Sequence, residues 1–398
     1  MRALLLRRSI FFRLAVLATA TALTAPLGGC TPAPDPPDLE SSTAQPVTPA
    51  PSKKPAFVGV LERYAEDLQA AGASAVIMQI KARTGQWSTA VGVRSHEGLE
   101  PVQLTDQVQI GDITMAMVAV SVMKLVEEGK VKLDDPITQY LPEIETLLSP
   151  PEPVTVRSVL NHRSGIPEYW DAVRRASRLS ELMGRTMSHA DRLAAAAGEP
   201  WPRQRPEDFV YSGSNYVVLA LLVERLRGRG IGEVLHSDIV EPLGLEGTQM
   251  MDDQNPQQRM VRAYSLLGLD RVDVTRPAMY RNAPDSGMIS TVPDLNGFLA
   301  ALVGGKLLKP TTLQEMLKGG REDYGLGLMK IYDECSNNSY FGHVGDVLGY
   351  TSLAMGSLDG SRQLAITVAT PAGSPPASFN ALGNQMLDAA SAALNQAC

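Results

Sequence analysis

Three short runs of this chain bring reactive side chains to spacings that chemistry can use. Ser121-Val122-Met123-Lys124 sets a hydroxyl and an amine three residues apart, so on a helix both fall on one face and the amine can take the hydroxyl proton. Tyr211-Ser212-Gly213-Ser214-Asn215 gathers a phenol, two hydroxyls and a carboxamide, and His343-Val344-Gly345 sets an imidazole beside a glycine. Asp112 stands directly before a long apolar run and suits a helix N-cap, where free N–H groups and the dipole favour a carboxylate. Other chemistries find no support. His96, His162, His189, His236 and His343 show neither H-x-x-x-H nor H-E-x-x-H spacing, and Cys30, Cys335 and Cys398 form no C-x-x-C pair, so no metal site is expected. There is no glycine-rich phosphate loop, and the net charge of −7 disfavours nucleic acid. No cofactor or nucleotide is implied.

The elements around these groups decide how they can be used. Residues 116–126 are apolar nearly all round, which marks a core helix. Residues 57–71 read as an amphipathic helix ending at Gly72, and 74–80 and 88–93 as strands separated by the Thr84-Gly85 turn. Strands are expected again near 339–343, 350–355 and 364–370, before a closing helix from Phe379, whereas 116–285 is mostly helical. This predicts an α+β protein: an antiparallel sheet flanked by terminal helices, with a helical lobe inserted and a pocket between lobes. The α/β lobe takes about 56–115 and 286–398, and the helical lobe about 116–285.

Several longer runs carry a family resemblance: VQIGDITMAMVAVSVMKLVEEGKVKLDDPI from Val108, TVRSVLNHRSGIPEYW from Thr155, FVYSGSNYVVLALLVERLRG from Phe209, IVEPLGLEGT from Ile239, SGMISTVPDLNGFL from Ser286, YGLGL from Tyr324 and GHVGDVLGYTS from Gly342. In this order they resemble the class C β-lactamase and D-alanyl-D-alanine carboxypeptidase family, which also holds penicillin-binding-protein-like and esterase-like members. The resemblance implies a β-lactamase/transpeptidase-like fold and a pocket built from Ser-x-x-Lys at a helix start, Tyr-x-Asn on a loop and Lys/His-x-Gly on a strand. The register places Asp112 at the serine position and Met115 at the lysine position. Tyr211 is similar to the family's general base, Gly213 stands where its asparagine would be with Asn215 two residues on, and His343 and Gly345 keep the strand motif. In that motif the glycine lets a substrate lie along the strand.

Ser121 and Lys124 imitate the first motif nine residues late. At about 100° and 1.5 Å per residue they fall on the opposite face, roughly 13 Å further along the helix, without the free N–H groups of a helix start. The exchange of serine for Asp112 and lysine for Met115 shifts the pocket toward negative charge, so penicillin-like carboxylates should bind weakly. Met115 can also simply extend the core into the former pocket.

The N-terminus speaks to location. Arg2, Arg7, Arg8 and Arg13 precede the apolar run LAVLATATALTAPL and then Leu27-Gly28-Gly29-Cys30, the pattern of an export signal whose end resembles the bacterial lipobox, with Cys30 as the lipidated residue. Residues 1–29 are expected to be the signal and 30–55, with eight prolines, an extended tether reaching up to about 80 Å at roughly 3.1 Å per residue. In an exported protein Cys335 and Cys398 are then an even pair and a candidate disulfide.

These readings predict a lipid-anchored cell-envelope protein with a degenerate site. It would bind or scaffold at the cell wall, with a peptidoglycan stem peptide or an envelope protein as partner. The alternative is an active serine hydrolase of carboxypeptidase, esterase or β-lactamase type, using Ser121 with Lys124, or Ser212 or Ser214 beside Tyr211.

Overall fold

The strand at Ala75–Ala82 (β1) explains the architecture, because it is buried on both faces. Val76, Met78 and Ile80 enter one apolar core and Ala75 and Ile77 the other, so the run reads as nearly continuous apolar sequence and must lie inside a covered sheet. In the computed structural model, which describes residues 54–202, 208–252, 259–267, 270–318, 324–370 and 377–398, β1 pairs antiparallel with Gly85–Gly92 (β2) on one side. The sheet continues through Met329–Asp333 (β3), Asn338–Val347 (β4), Tyr350–Ser357 (β5) and Gln363–Ala369 (β6), in the spatial order β2-β1-β6-β5-β4-β3. Every pairing in it is antiparallel.

Ala56–Ala70 (α1) buries Phe57, Val58, Leu61, Ala65 and Leu68, and the closing helix at Ala377–Asn395 packs beside it on the same face of the sheet. The other face carries Ile113–Glu127 (α2) and Val292–Val303 (α4), and Ser214–Arg227 (α3) packs on α2. Twelve of the fifteen residues of α2 are buried, as its all-round apolar character demands. The expected strands and terminal helices are present with ends shifted by a few residues. The edge strand β3 escapes sequence reading because it is short and half-exposed, with Tyr332 60% accessible.

Between 108 and 290 the chain is not helical throughout. Val108–Gln109, Gln249–Met250 and Met288–Ser290 form a small three-stranded sheet, and Tyr264–Leu267 pairs with Asp270–Asp273. The small sheet matters for the site: Ile110 N–H donates to the Met288 carbonyl at 3.1 Å and Met288 N–H to the Thr114 hydroxyl at 3.2 Å, which fixes the entry into α2. Cys335 and Cys398 are bridged, with Cα atoms 5.8 Å apart. The leader, Cys30 and the tether up to residue 53 lie outside the described residues. Among the described residues no helix is long and apolar enough to cross a membrane.

Candidate functional site

The site begins where the start of α2 meets β4. Gly111 turns with φ +52°, and a Cβ on it would lie 2.7 Å from the Asp346 nitrogen. Gly345 is its counterpart: a Cβ there would lie 2.0 Å from the Ile110 carbonyl oxygen and 2.8 Å from the Asp112 nitrogen. The two glycines therefore let residues 110–112 press backbone to backbone on the strand. Sequence reading gives Gly345 the task of leaving room for a ligand; the structure gives it this closer one.

Asp112 occupies the N-cap position of α2, but its side chain makes no capping bond. The expected capping role is thus corrected, and the backbone gives the reason. Its φ −62° and ψ −9° are already helical, whereas an N-cap that folds its side chain back onto the first turn is normally extended. The carboxyl reaches across instead: Oδ1 accepts from the Tyr211 hydroxyl at 2.6 Å and Oδ2 from the Asp346 N–H at 3.2 Å. Burial pushes Asp112 up to about 8, and the carboxylates of Asp346 and Asp285 add to the rise against the two hydrogen bonds.

Tyr211 is held as a donor. The residue is 44% exposed, and desolvation of its hydroxyl together with Asp112, Glu168 and Asp285 raises the phenol well above its ordinary value. The ring stacks on His162 at 5.0 Å and 28°. His162, which sequence reading passes over, is buried, takes φ +57° and stays neutral because burial pushes it down to about 3. Its Nδ1 receives the Ser212 N–H at 3.2 Å. The only hint in sequence is a lone histidine inside the apolar-flanked LNHRSGIP run.

Gly213 faces two acids. A Cβ on it would meet Asp285 Oδ2 at 3.0 Å and Glu168 Oε2 at 3.4 Å, so the place an asparagine side chain would need is taken. Glu168 accepts from the Trp170 N–H at 2.8 Å and from the Gly213 N–H, and burial pushes it up to about 7. Asp285 accepts from the Tyr169 hydroxyl at 2.9 Å; burial raises it, with the Arg192 guanidinium opposing. Asn215 turns away from these acids, accepting from the Ser164 hydroxyl at 2.5 Å with its amide nitrogen 3.1 Å from His162.

The remaining candidates have other surroundings. His343 lies 3.0 Å from the Tyr324 hydroxyl through Nε2 and contacts the Val344 carbonyl through Nδ1, and burial pushes it down to about 4. Met115 is fully buried. Ser121 is buried with no partner for its hydroxyl, while Lys124 donates to the Asp238 carbonyl at 2.6 Å, so the two do not meet. Ser212 and Ser214 both donate to the Pro167 carbonyl, at 3.3 and 2.7 Å. Neither hydroxyl is directed at a base. Among the described residues no group of three or more His, Cys, Asp or Glu side chains could hold a metal ion.

Comparison with known proteins agrees with this architecture. A penicillin-binding protein of Bacillus subtilis is 21% identical over 289 residues, 66% of this chain and 61% of that protein. The teichoic acid D-alanine hydrolase of Staphylococcus aureus is 24% identical over 198 residues, 49% of this chain and 45% of the hydrolase. The chain thus spans about half to three fifths of the length of these curated relatives. Among solved structures, a D-stereospecific amidohydrolase from Streptomyces sp. superposes with a TM-score of 0.69 at 26% identity, covering 81% of this chain and 97% of that one. A D-amino acid amidase from Ochrobactrum anthropi SV3 gives 0.72 at 21% identity, covering 85% and 98%, and shares the fold. The Beta-lactamase family model matches residues 58–391, most of the length described above, and the chain belongs to that family.

Proposed function

We propose that this protein is a cell-envelope member of the Beta-lactamase family, exported and anchored through lipidated Cys30, that binds a wall component without turning it over. The observation that carries this reading is the occupant of the α2 start. A carboxyl, held by Tyr211 and Asp346, lies where the family's mechanism needs a hydroxyl, and Met115 one turn on is fully buried and has no proton to exchange. The Ser121 hydroxyl has no partner, and those of Ser212 and Ser214 are spent on the Pro167 carbonyl. The ligand class follows from the relatives' names, which include a teichoic acid D-alanine hydrolase and a D-stereospecific amidohydrolase. A wall segment bearing a D-amino acid, such as a peptidoglycan stem peptide, is the proposed ligand, with an envelope protein as the other partner type.

Intact-mass analysis of the full chain after exposure to a penicillin, and separately to a fluorophosphonate, tests the reading. No adduct with either reagent is expected. A stoichiometric adduct mapped to one serine would overturn it, and the position of that serine would identify the nucleophile.

A further inference from the structure

The carboxyl of Asp112 is received by two donors from unrelated parts of the chain. The Tyr211 hydroxyl, 99 residues away on the loop ahead of α3, reaches Oδ1 at 2.6 Å. The Asp346 N–H, 234 residues away on β4, reaches Oδ2 at 3.2 Å. The capping bond that would ordinarily employ this carboxyl is not made, so α2 itself does not require it. Asp112 sits as a bound acid would sit, with one oxygen on each donor.

We propose that the Tyr211 hydroxyl and the Asp346 N–H form a pocket for a carboxyl group, and that the Asp112 side chain is its built-in occupant, which keeps an external carboxyl off these two donors. The two donors stand on elements other than α2, so both remain when Asp112 is shortened. His162 stacked on Tyr211 holds the first, and the close approach of Gly111 and Gly345 holds the second. The charged groups acting on the occupant are the carboxylates of Asp346 and Asp285, while Glu168 and Asp285 act on Tyr211. In such surroundings a carboxyl is received with its proton. An external acid must therefore bring a proton with it, and its affinity falls tenfold per pH unit above its own pKa.

Asp112→Ala removes a group the size of formic acid. The ¹⁵N-labelled full chain, titrated with formate at pH 5 and pH 6, reports through the Asp346 amide resonance. In Asp112→Ala, formate should move that resonance saturably toward its wild-type position, with binding about tenfold weaker at pH 6 than at pH 5. Adding Tyr211→Phe should weaken binding about tenfold, and the wild type should not respond. A folded Asp112→Ala whose Asp346 amide ignores formate, or responds no more than wild type does, overturns the proposal.

Should Asp112→Ala fail to fold, the wild-type chain decides. Beyond any step of the Asp346 carboxyl itself, the Asp346 amide and the Tyr211 ring should share one titration step, because both touch the Asp112 carboxyl; the lack of a shared step overturns it. The pocket does not depend on the absence of turnover. A serine labelled by fluorophosphonate would sink the proposed function and leave this pocket standing, and an inert Asp346 amide would do the reverse.

Discussion

Replacing Asp112 by asparagine should change how the stability of this protein depends on pH. The folded carboxyl is pushed up to about 8 from an ordinary value of 3.8. Between those values the folded state keeps a proton that the unfolded chain releases, so stability falls as pH rises and the loss is complete above about 8. The slope for one such group is about 1.4 kcal/mol per pH unit. The full shift is therefore worth on the order of 5 kcal/mol, an upper figure because Asp346 and Glu168 are themselves raised, to about 6 and 7, and share part of the same decline. Asparagine carries no titrating group but loses one acceptor, since its amide nitrogen cannot receive the Asp346 N–H. Below about pH 4, before this decline sets in, the Asp112→Asn variant should be about 1 kcal/mol less stable than wild type, and near pH 5 the two should be about equal. By pH 8 the order should have reversed by a few kcal/mol. Urea unfolding midpoints at pH 5, 6, 7 and 8 measure the difference directly. Two curves that stay parallel across that range, within about 0.5 kcal/mol, would refute the claim that Asp112 is held protonated by its surroundings.

The backbone contact at Gly345 makes Gly345→Ala a severe substitution: its Cβ would lie 2.0 Å from the Ile110 carbonyl oxygen, and a loss of about 3 kcal/mol or more is expected in chemical unfolding. A loss under about 1 kcal/mol would mean that the start of α2 is not pressed on β4 as described. Restoring the family motif at Gly213 should not help. In an Asp112→Ser, Met115→Lys background, adding Gly213→Asn should lower stability by about 1–3 kcal/mol without raising penicillin acylation, because Asp285 and Glu168 occupy the space; a marked gain in acylation by mass spectrometry counts against that packing. The Cys335–Cys398 bridge closes 63 residues of sequence, so Cys335→Ser should cost about 2–5 kcal/mol, read as a lowered Tm relative to the oxidised wild type, and an unchanged Tm would show that the bridge constrains little.

Much of this protein is legible without coordinates. The apolar runs of β1 and β6 announce strands covered on both faces, and the all-round apolar character of 116–126 announces a core helix, because burial is a property each segment carries in its own side chains. The order of the family-like runs points to Asp112, Met115, Tyr211, Gly213 and His343 as the residues at the motif positions, and the displacement of Ser121 from the helix start follows from helix geometry alone. What those residues do was decided elsewhere. Asp112 reads locally as an N-cap, yet its partners lie 99 and 234 residues away. Asn215 reads as a neighbour of Tyr211, yet it faces Ser164 and His162. Gly213 reads as a missing asparagine, yet two carboxyls take the room such a side chain would need. Secondary structure follows short-range periodicity, but a side chain's hydrogen bonds and protonation depend on which distant elements the fold packs against it and how much water they exclude. Only tertiary structure supplies those neighbours.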